Sequence, residues 1–504
     1  MTTRSHLSWR SLTTVKVNPV NGKCTTLPIL SLNNRYSINF HLSWLGFWSA
    51  FLSWFAFSPL IPEAVKEDLK LTSAQIGNSN IISLLATLVV RIVVGPLVDG
   101  MDFFWIEDSN LDGPFTAYGP RKVMAGLLIL GAIPSGLPGV ISSAGGLYAV
   151  RFFIGILGGT FVCCQAWTTV FFDTNIVGTA NAISAGWGNA GGGFTFVIMV
   201  ALYDRLIADG LSQHVAWRAA FAIVPVPVLL SVAILCLVFG SDHPSGRWAD
   251  RHSISLQPGE RGPDSPISRP SLDKEKNGVP AVSIQEIESE ATKAVNQKLT
   301  MTVALDALSK PLTWLPTFAY MTTFGYELAI DANLANVIFN LYQDDNFGQT
   351  KAGYLAATFG LLNIFTRAFG GWAGDKMYTW YGVSGKKYLT LLCGILQGAM
   401  SLAWGLYIDS TLDPSLGVFI LLMVLCAIFC EAGNGANFAL VPHCNPNSNG
   451  SMSGLVGAFG NVGGVIFALI FRFQAHSTGK PFWISGIFAM GVNLLLTWIS
   501  VPPR

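Results

Sequence analysis

Residues 185–196 read AGWGNAGGGFTF, and residues 457–467 read GAFGNVGGVIF. Each Gly-Asn-x-Gly-Gly core stands inside an apolar run, and the two runs lie in opposite halves of the chain. Glycine weakens a helix, and an amide in hydrocarbon must find a partner. Such segments belong where helix presses on helix rather than on lipid. Their return at a nearly identical offset predicts a chain built from two structural copies.

A second pair of markers supports the same division. Arg91, Gly95 and Asp99 (RIVVGPLVD) recur with unchanged spacing as Arg367, Gly371 and Asp375 (RAFGGWAGD). Of 504 residues, 51% are hydrophobic and only 12% charged, about half the charge of a soluble chain. Apolar runs long enough to cross a bilayer lie near 38–61, 74–98, 122–142, 145–172, 179–203 and 217–240. They resume near 312–340, 350–374, 387–408, 414–440, 451–473 and 481–501. The expected fold is an all-α membrane protein with twelve transmembrane helices in two pseudo-symmetric six-helix bundles. Its parts are a tail (1–37), a first bundle (38–240), a linker (241–300) and a second bundle (301–504). The linker is polar, charged and rich in Pro and Ser, and cannot bury a core. Its serines are candidate sites for a kinase.

Basic residues (Arg121, Lys122, Lys376, Lys386, Lys387) fall in the loops after spans 2 and 8, and acidic ones (Asp344, Asp345, Asp409, Asp413) after spans 7 and 9. The basic loops, both termini and the linker are therefore expected in the cytoplasm. The sequon at Asn449 then lies inside, away from glycosylation. No apolar core follows a charged start in the first thirty-odd residues, so no cleavable signal peptide is expected. The eight cysteines form no framework and are expected as free thiols, six in apolar runs, Cys24 in the tail and Cys444 in a short loop. A net charge of +1 gives no reason to expect nucleic acid. Without a metal cluster, nucleotide loop or nucleophile–base set in the pattern, neither an enzyme nor a cofactor is expected.

Arg91 and Arg367 are the first candidates for chemistry. A charge at membrane depth costs at least about 2.5 kcal/mol and so tends to mark a site. Snorkelling to the headgroups is the bland alternative, but eight residues separate each arginine from the span's end, about 12 Å of helix. Two guanidinium forks converging on one cavity suit a small planar oxyanion such as nitrate, nitrite or a carboxylate. Gly188, Gly191, Gly192, Gly460, Gly463 and Gly464 are expected to pack helices. Asn189 and Asn461 are expected either to contact substrate or to bond a neighbouring helix. Glu327 and Asp331 (TFGYELAID) share one helical face one turn apart, a pairing suited to carrying protons; their alternative is pairing at an external helix end. Glu431 (CEAGNGANF) is a second proton-carrying candidate, and Arg151 is expected to brace helices. Asp99 and Asp375, with Arg121 and Lys376, are expected to gate the cytoplasmic ends through ion pairs.

The doubled Gly-Asn segments and the paired arginines resemble the nitrate/nitrite porter family of the major facilitator superfamily. GPLVD and GGWAGDK are similar to the superfamily's loop motif, although GMDFFWIEDSNLDGPFTAY separates Asp99 from Gly119-Pro120-Arg121. The resemblance spans all twelve runs. It implies that Tyr320 and Phe324 line the site and that Phe161 stacks on the flat anion. The long linker resembles the fungal branch, which implies high-affinity, proton-coupled import at the plasma membrane. The expected partners are nitrate, nitrite, protons and the lipid bilayer. Two rivals stand beside that reading: an exchanger of nitrate for nitrite, and a nitrate receptor that transports little.

Overall fold

A computed structural model describes residues 9–18, 21–99, 118–173, 176–244, 246, 248, 305, 308–344, 346–444, 449–474 and 477–502. The side chains of Trp9, Asp99 and Asn449 are outside that description. So is almost all of the linker, with all of its candidate phosphorylation sites except Ser241.

The described chain is helical, because backbone that crosses lipid must satisfy its own hydrogen bonds. Six helices form the first half: α1 (Arg35–Trp54), α2 (Ser73–Asp99), α3 (Gly119–Ser135), α4 (Ala144–Phe171), α5 (Val177–Ala208) and α6 (Gln213–Phe239). The second half holds α7 (Pro311–Tyr342), α8 (349–381), α9 (383–410), α10 (Leu416–Cys444), α11 (Asn449–Phe473) and α12 (Lys480–Leu495). A single helical run, Gln349–Ser410, contains both α8 and α9 and turns at Gly382 (φ 63°, ψ −151°). A left-handed φ of this kind suits glycine.

Among the described residues, nine runs are long and apolar enough to cross a membrane, one of them this double run. The two helices outside that set are α1 and α7. α1 carries Asn39, His41 and four serines, and α7 carries Glu327, Asp331 and three asparagines. Most of these polar groups are buried in protein, so hydropathy understates both helices.

The copies show in the packing. α5 lies against α1 and α11 against α7, while α2 with α11 and α5 with α8 join the two halves. A Cβ on Gly193 would stand 2.7 Å from the backbone of Leu361, and one on Gly454 would stand 3.1 Å from that of Arg91. Small residues thus bring backbones of opposite halves together. Gly191 and Gly463 do the same within each half, against the carbonyls of Trp48 and Met321. Gly188 lies against Phe47, and Gly460 against Phe324 and Tyr320. Gly192 and Gly464 have ordinary or slightly tight neighbours.

One local expectation changes. Cys444 is the last residue of α10 and buried, not part of a loop; all eight cysteines are free. The tail packs against the end of α4 from Asn18 onward. The Cys24 amide donates to the Phe171 carbonyl at 2.9 Å, and the Asp173 amide to the Cys24 carbonyl at 2.9 Å. Asp173 also accepts from Asn18 and Asn21, each at 2.9 Å. Lys23 donates to the Thr169 carbonyl; burial pulls its ammonium down to about 8 against the attraction of Asp173.

Candidate functional site

Arg91 and Arg367 meet at the centre, both with no exposed surface. α4 is wound as a 3-10 turn at Gly155–Gly159, which takes carbonyls out of the α-helical ladder. One of them, Gly158, accepts from Arg91 Nε at 2.9 Å. Arg91 Nη1 donates to the carbonyl of Gly457, at the head of the second Gly-Asn segment, also at 2.9 Å. Arg367 Nη2 donates to the Tyr320 hydroxyl at 2.7 Å. Arg91 Nη2 and Arg367 Nε and Nη1 are buried and have no hydrogen-bond partner among the described residues.

Three rings separate and flank the cations. Tyr320 and Phe324, one turn apart on α7, stack at 4.8 Å with 9° between planes, and Phe161 stacks on both at 6.0 and 5.9 Å. The Arg91 guanidinium carbon lies 4.7 Å from the Phe161 centroid and 5.1 Å from that of Phe324. The Arg367 carbon lies 5.7 Å from the same Phe324 ring. Both forks therefore share one aromatic wall, which a π face stabilises by attraction to each cation. Phe438 of α10, not foreseen from sequence, stands edge-on to Phe161 and Tyr320.

The carboxylates gather on one side. Glu327 is fully buried and lies 3.9 Å from Arg367 Nη1, at the centre of the molecule and not at an external helix end. It accepts from Asn189 of α5, from Asn363 of α8 at 2.7 Å and from Asn434 of α10 at 2.6 Å. Thr323 in turn donates to Asn434 Oδ1 at 2.6 Å. The amide of Asn189 is thus directed to Glu327. Asn461 donates to the Gly457 carbonyl at 3.0 Å, the same acceptor that Arg91 uses. Asp331 is buried one turn beyond Glu327, and Glu431 is bonded to Thr366. Arg151 donates to Ser79 and Asn80 at 2.6 Å each, bracing α4 against α2.

The residues expected to gate find partners other than those nearest in sequence. Asp375 accepts from the Thr179 amide and hydroxyl at 2.7 Å each, tying α8 to α5. Its second oxygen pairs with Lys386 of α9 at 2.9 Å, whereas Lys376 lies over the Trp380 ring. Arg121 pairs with Asp242 at 3.1 Å. Burial pushes the Asp242 carboxyl up, with Arg121 opposing. The side chain of Asp99 lies outside the described residues. At the opposite face the halves are tied by Gln349, which accepts from the Glu63 and Ala64 amides, and by Arg472, which donates to Asn78 at 2.7 Å. Tied at both faces, this conformation closes over the arginine pair.

The geometry offers two buried cations with unused donors and one carboxylate beside the second cation, an arrangement that can hold an anion and exchange charge around it. Comparison with known proteins agrees with a transporter. The model of the Major Facilitator Superfamily matches residues 43–339 and 328–504. Nitrate transporter 2.1 of Chlamydomonas reinhardtii is 30% identical over 489 residues, 95% of this chain and 78% of that protein. High affinity nitrate transporter 2.5 of Arabidopsis thaliana is 31% identical over 482 residues, 95% of this chain and 83% of that protein. Among solved structures, the proton:xylose symporter XylE bound to 6-bromo-6-deoxy-D-glucose superposes with a TM-score of 0.57 at 13% identity, covering 93% of this chain and 97% of that one. That likeness speaks for the fold alone. The chain is a multi-pass membrane transporter that belongs to the major facilitator superfamily and, within it, to the nitrate/nitrite porter family.

Proposed function

We propose that the protein imports nitrate together with protons by alternating access, holding the anion between Arg91 and Arg367. The observation that carries this reading is the set of unpartnered guanidinium N–H groups on both arginines around one aromatic wall. A flat anion with acceptor oxygens in its plane matches those donors, and guanidinium forks bind it with directional, charge-assisted bonds. The relatives named above transport nitrate according to their names. Nitrite has nearly the same shape and donor requirement and competes for the site.

An inside-negative membrane opposes anion entry by about 2.3 kcal/mol per charge per 100 mV. Two or more protons per nitrate reverse that opposition, and Glu327, Asp331 and Glu431 are the groups placed to carry them. The protein acts at the plasma membrane with both termini in the cytoplasm, so the Thr179–Asp375–Lys386 tie is the inner gate and the Gln349 and Arg472 ties form the outer one.

The test is nitrate-evoked current in proteoliposomes at two external pH values, for the wild type and for Arg91→Lys. Inward positive current that grows at acid pH and is lost in the variant is expected. Tracer uptake that ignores the pH gradient but accelerates with internal nitrite would replace symport by exchange. Binding with neither signal would make the protein a receptor.

A further inference from the structure

Glu327 draws its partners from both halves of the molecule. Asn363, Asn434 and Arg367 belong to the second half, and Asn189 belongs to the first. Among its described bonds, the one from Asn189 alone crosses between the halves. The carboxylate stands 3.9 Å from Arg367 without a direct hydrogen bond to it. An anion that settles on Arg367 Nε and Nη1 therefore meets a second negative charge close by, and like charges in a site that excludes water repel strongly.

We propose that Glu327 is the group at which the proton and the anion are coupled, and that Asn189 passes its change of charge to the other half. This rests on the reading of proton-driven nitrate import. As the anion arrives, one proton passes from hydronium in the outer water to a Glu327 oxygen; an O–H bond of hydronium breaks, leaving water, and an O–H bond forms on the carboxyl. The carboxyl is then neutral, and the anion takes over as counter-ion of Arg367. The new O–H needs an acceptor, and two lie ready. Asn189 Oδ1 and Asn363 Oδ1 are buried without a hydrogen-bond partner, and rotating either amide presents its oxygen. That rotation replaces an N–H donor bond to Glu327, and at Asn189 it remakes the link between halves. On release of the anion the carboxyl ionises again and Arg367 regains its partner.

The other charged or titratable groups around Glu327 include Asp331 and Tyr320 on its own helix, Arg367 on α8, and Cys430 and Glu431 on α10. Glu431 is directed to Thr366, and neither Glu431 nor Asp331 has a described ion pair with an arginine. Glu327 is thus the acid whose charge the anion replaces. The second Gly-Asn segment has no counterpart, because Asn461 bonds a carbonyl of its own helix.

The test is nitrate affinity of the purified full chain in lipid nanodiscs, titrated between pH 5 and 8. The wild type should bind nitrate at least about fivefold more tightly at the acid end, the lower range of ordinary coupling between sites. Glu327→Gln should bind with the wild type's acid-side affinity at every pH. A folded Glu327→Gln that keeps the pH dependence, or binds no nitrate at any pH, would overturn the proposal. So would a dependence that disappears in Asp331→Asn or Glu431→Gln instead. If Glu327→Gln fails to fold, Glu327→Asp must retain the dependence with a displaced midpoint, and an unmoved midpoint overturns the proposal. A wild type that binds nitrate equally at all pH values would instead remove the proton-coupled reading on which the proposal stands.

Discussion

Arg91 and Arg367 occupy matching places in α2 and α8, eight residues before matching aspartates, but their surroundings differ in charge. Arg91 is held by two backbone carbonyls and packs on Phe161. Arg367 is held by a phenol and faces a carboxylate, with a second acid on the neighbouring α10. The two Gly-Asn segments differ in the same way. Their second glycines make the same close approach to a neighbouring carbonyl, yet Asn189 reaches across to Glu327 while Asn461 stays on its own helix. The repeat thus preserves what helix packing needs and lets charge diverge. The first half supplies a fixed positive charge, and the second supplies one that can be balanced or exposed.

That contrast is broken most severely at Arg367. Arg367→Ala leaves Glu327 as a buried charge without its cation, a loss of about 3–5 kcal/mol, and adding Glu327→Gln should recover most of it. Arg91→Ala strands no carboxylate and should cost clearly less. Thermal unfolding in detergent measures both, and equal losses would show that the two surroundings are not different in charge.

The asparagines give the next largest difference. Asn189→Ala removes a bond to a charged group, about 1.5–3 kcal/mol, whereas Asn461→Ala removes a neutral one, about 0.5–1.5 kcal/mol. The same unfolding assay separates them. Moreover, Asn189→Ala should disturb the pH dependence of transport while Asn461→Ala should not.

The glycines sharpen the shared part of the comparison. A methyl group on Gly191 meets the Trp48 carbonyl and one on Gly463 meets that of Met321, so Gly191→Ala and Gly463→Ala should each cost about 1–3 kcal/mol. On Gly192 the nearest atom is Phe55 Cδ2 at 3.4 Å. Gly192→Ala should therefore be neutral, or stabilising by up to about 1 kcal/mol through helix propensity. Expression level and melting temperature of the three variants check this, and equal behaviour would remove the close approach as the reason for these glycines.

Much of this was legible in the residues. Apolar runs of the right length gave twelve crossings, and the recurrence of Arg-x3-Gly-x3-Asp and Gly-Asn-x-Gly-Gly gave the two copies. The cage around Glu327 was not legible, because Asn189, Asn363 and Asn434 stand 138, 36 and 107 residues away and no local spacing joins them. A signal was present in kind: Asn363 in GLLNIF and Asn434 in AGNGAN are amides in apolar runs, which must find partners. The partners of Asp375 escaped for another reason. Lys376 adjoins Asp375 in sequence, but neighbours along a helix do not face each other, and Lys386 and Thr179 come from other helices. α1 and α7 carry polar groups turned into the protein, which hydropathy alone scores as weakness.

The central claim is that two guanidinium forks hold one anion, and calorimetric titration of nitrate into the purified protein, Arg91→Lys and Arg367→Lys tests it most directly. Lysine keeps the charge but loses the fork, and one charge-assisted bond is worth about 1.5–3 kcal/mol. Each variant should therefore bind about 10- to 100-fold more weakly than the wild type. Wild-type affinity in either lysine variant would contradict the account.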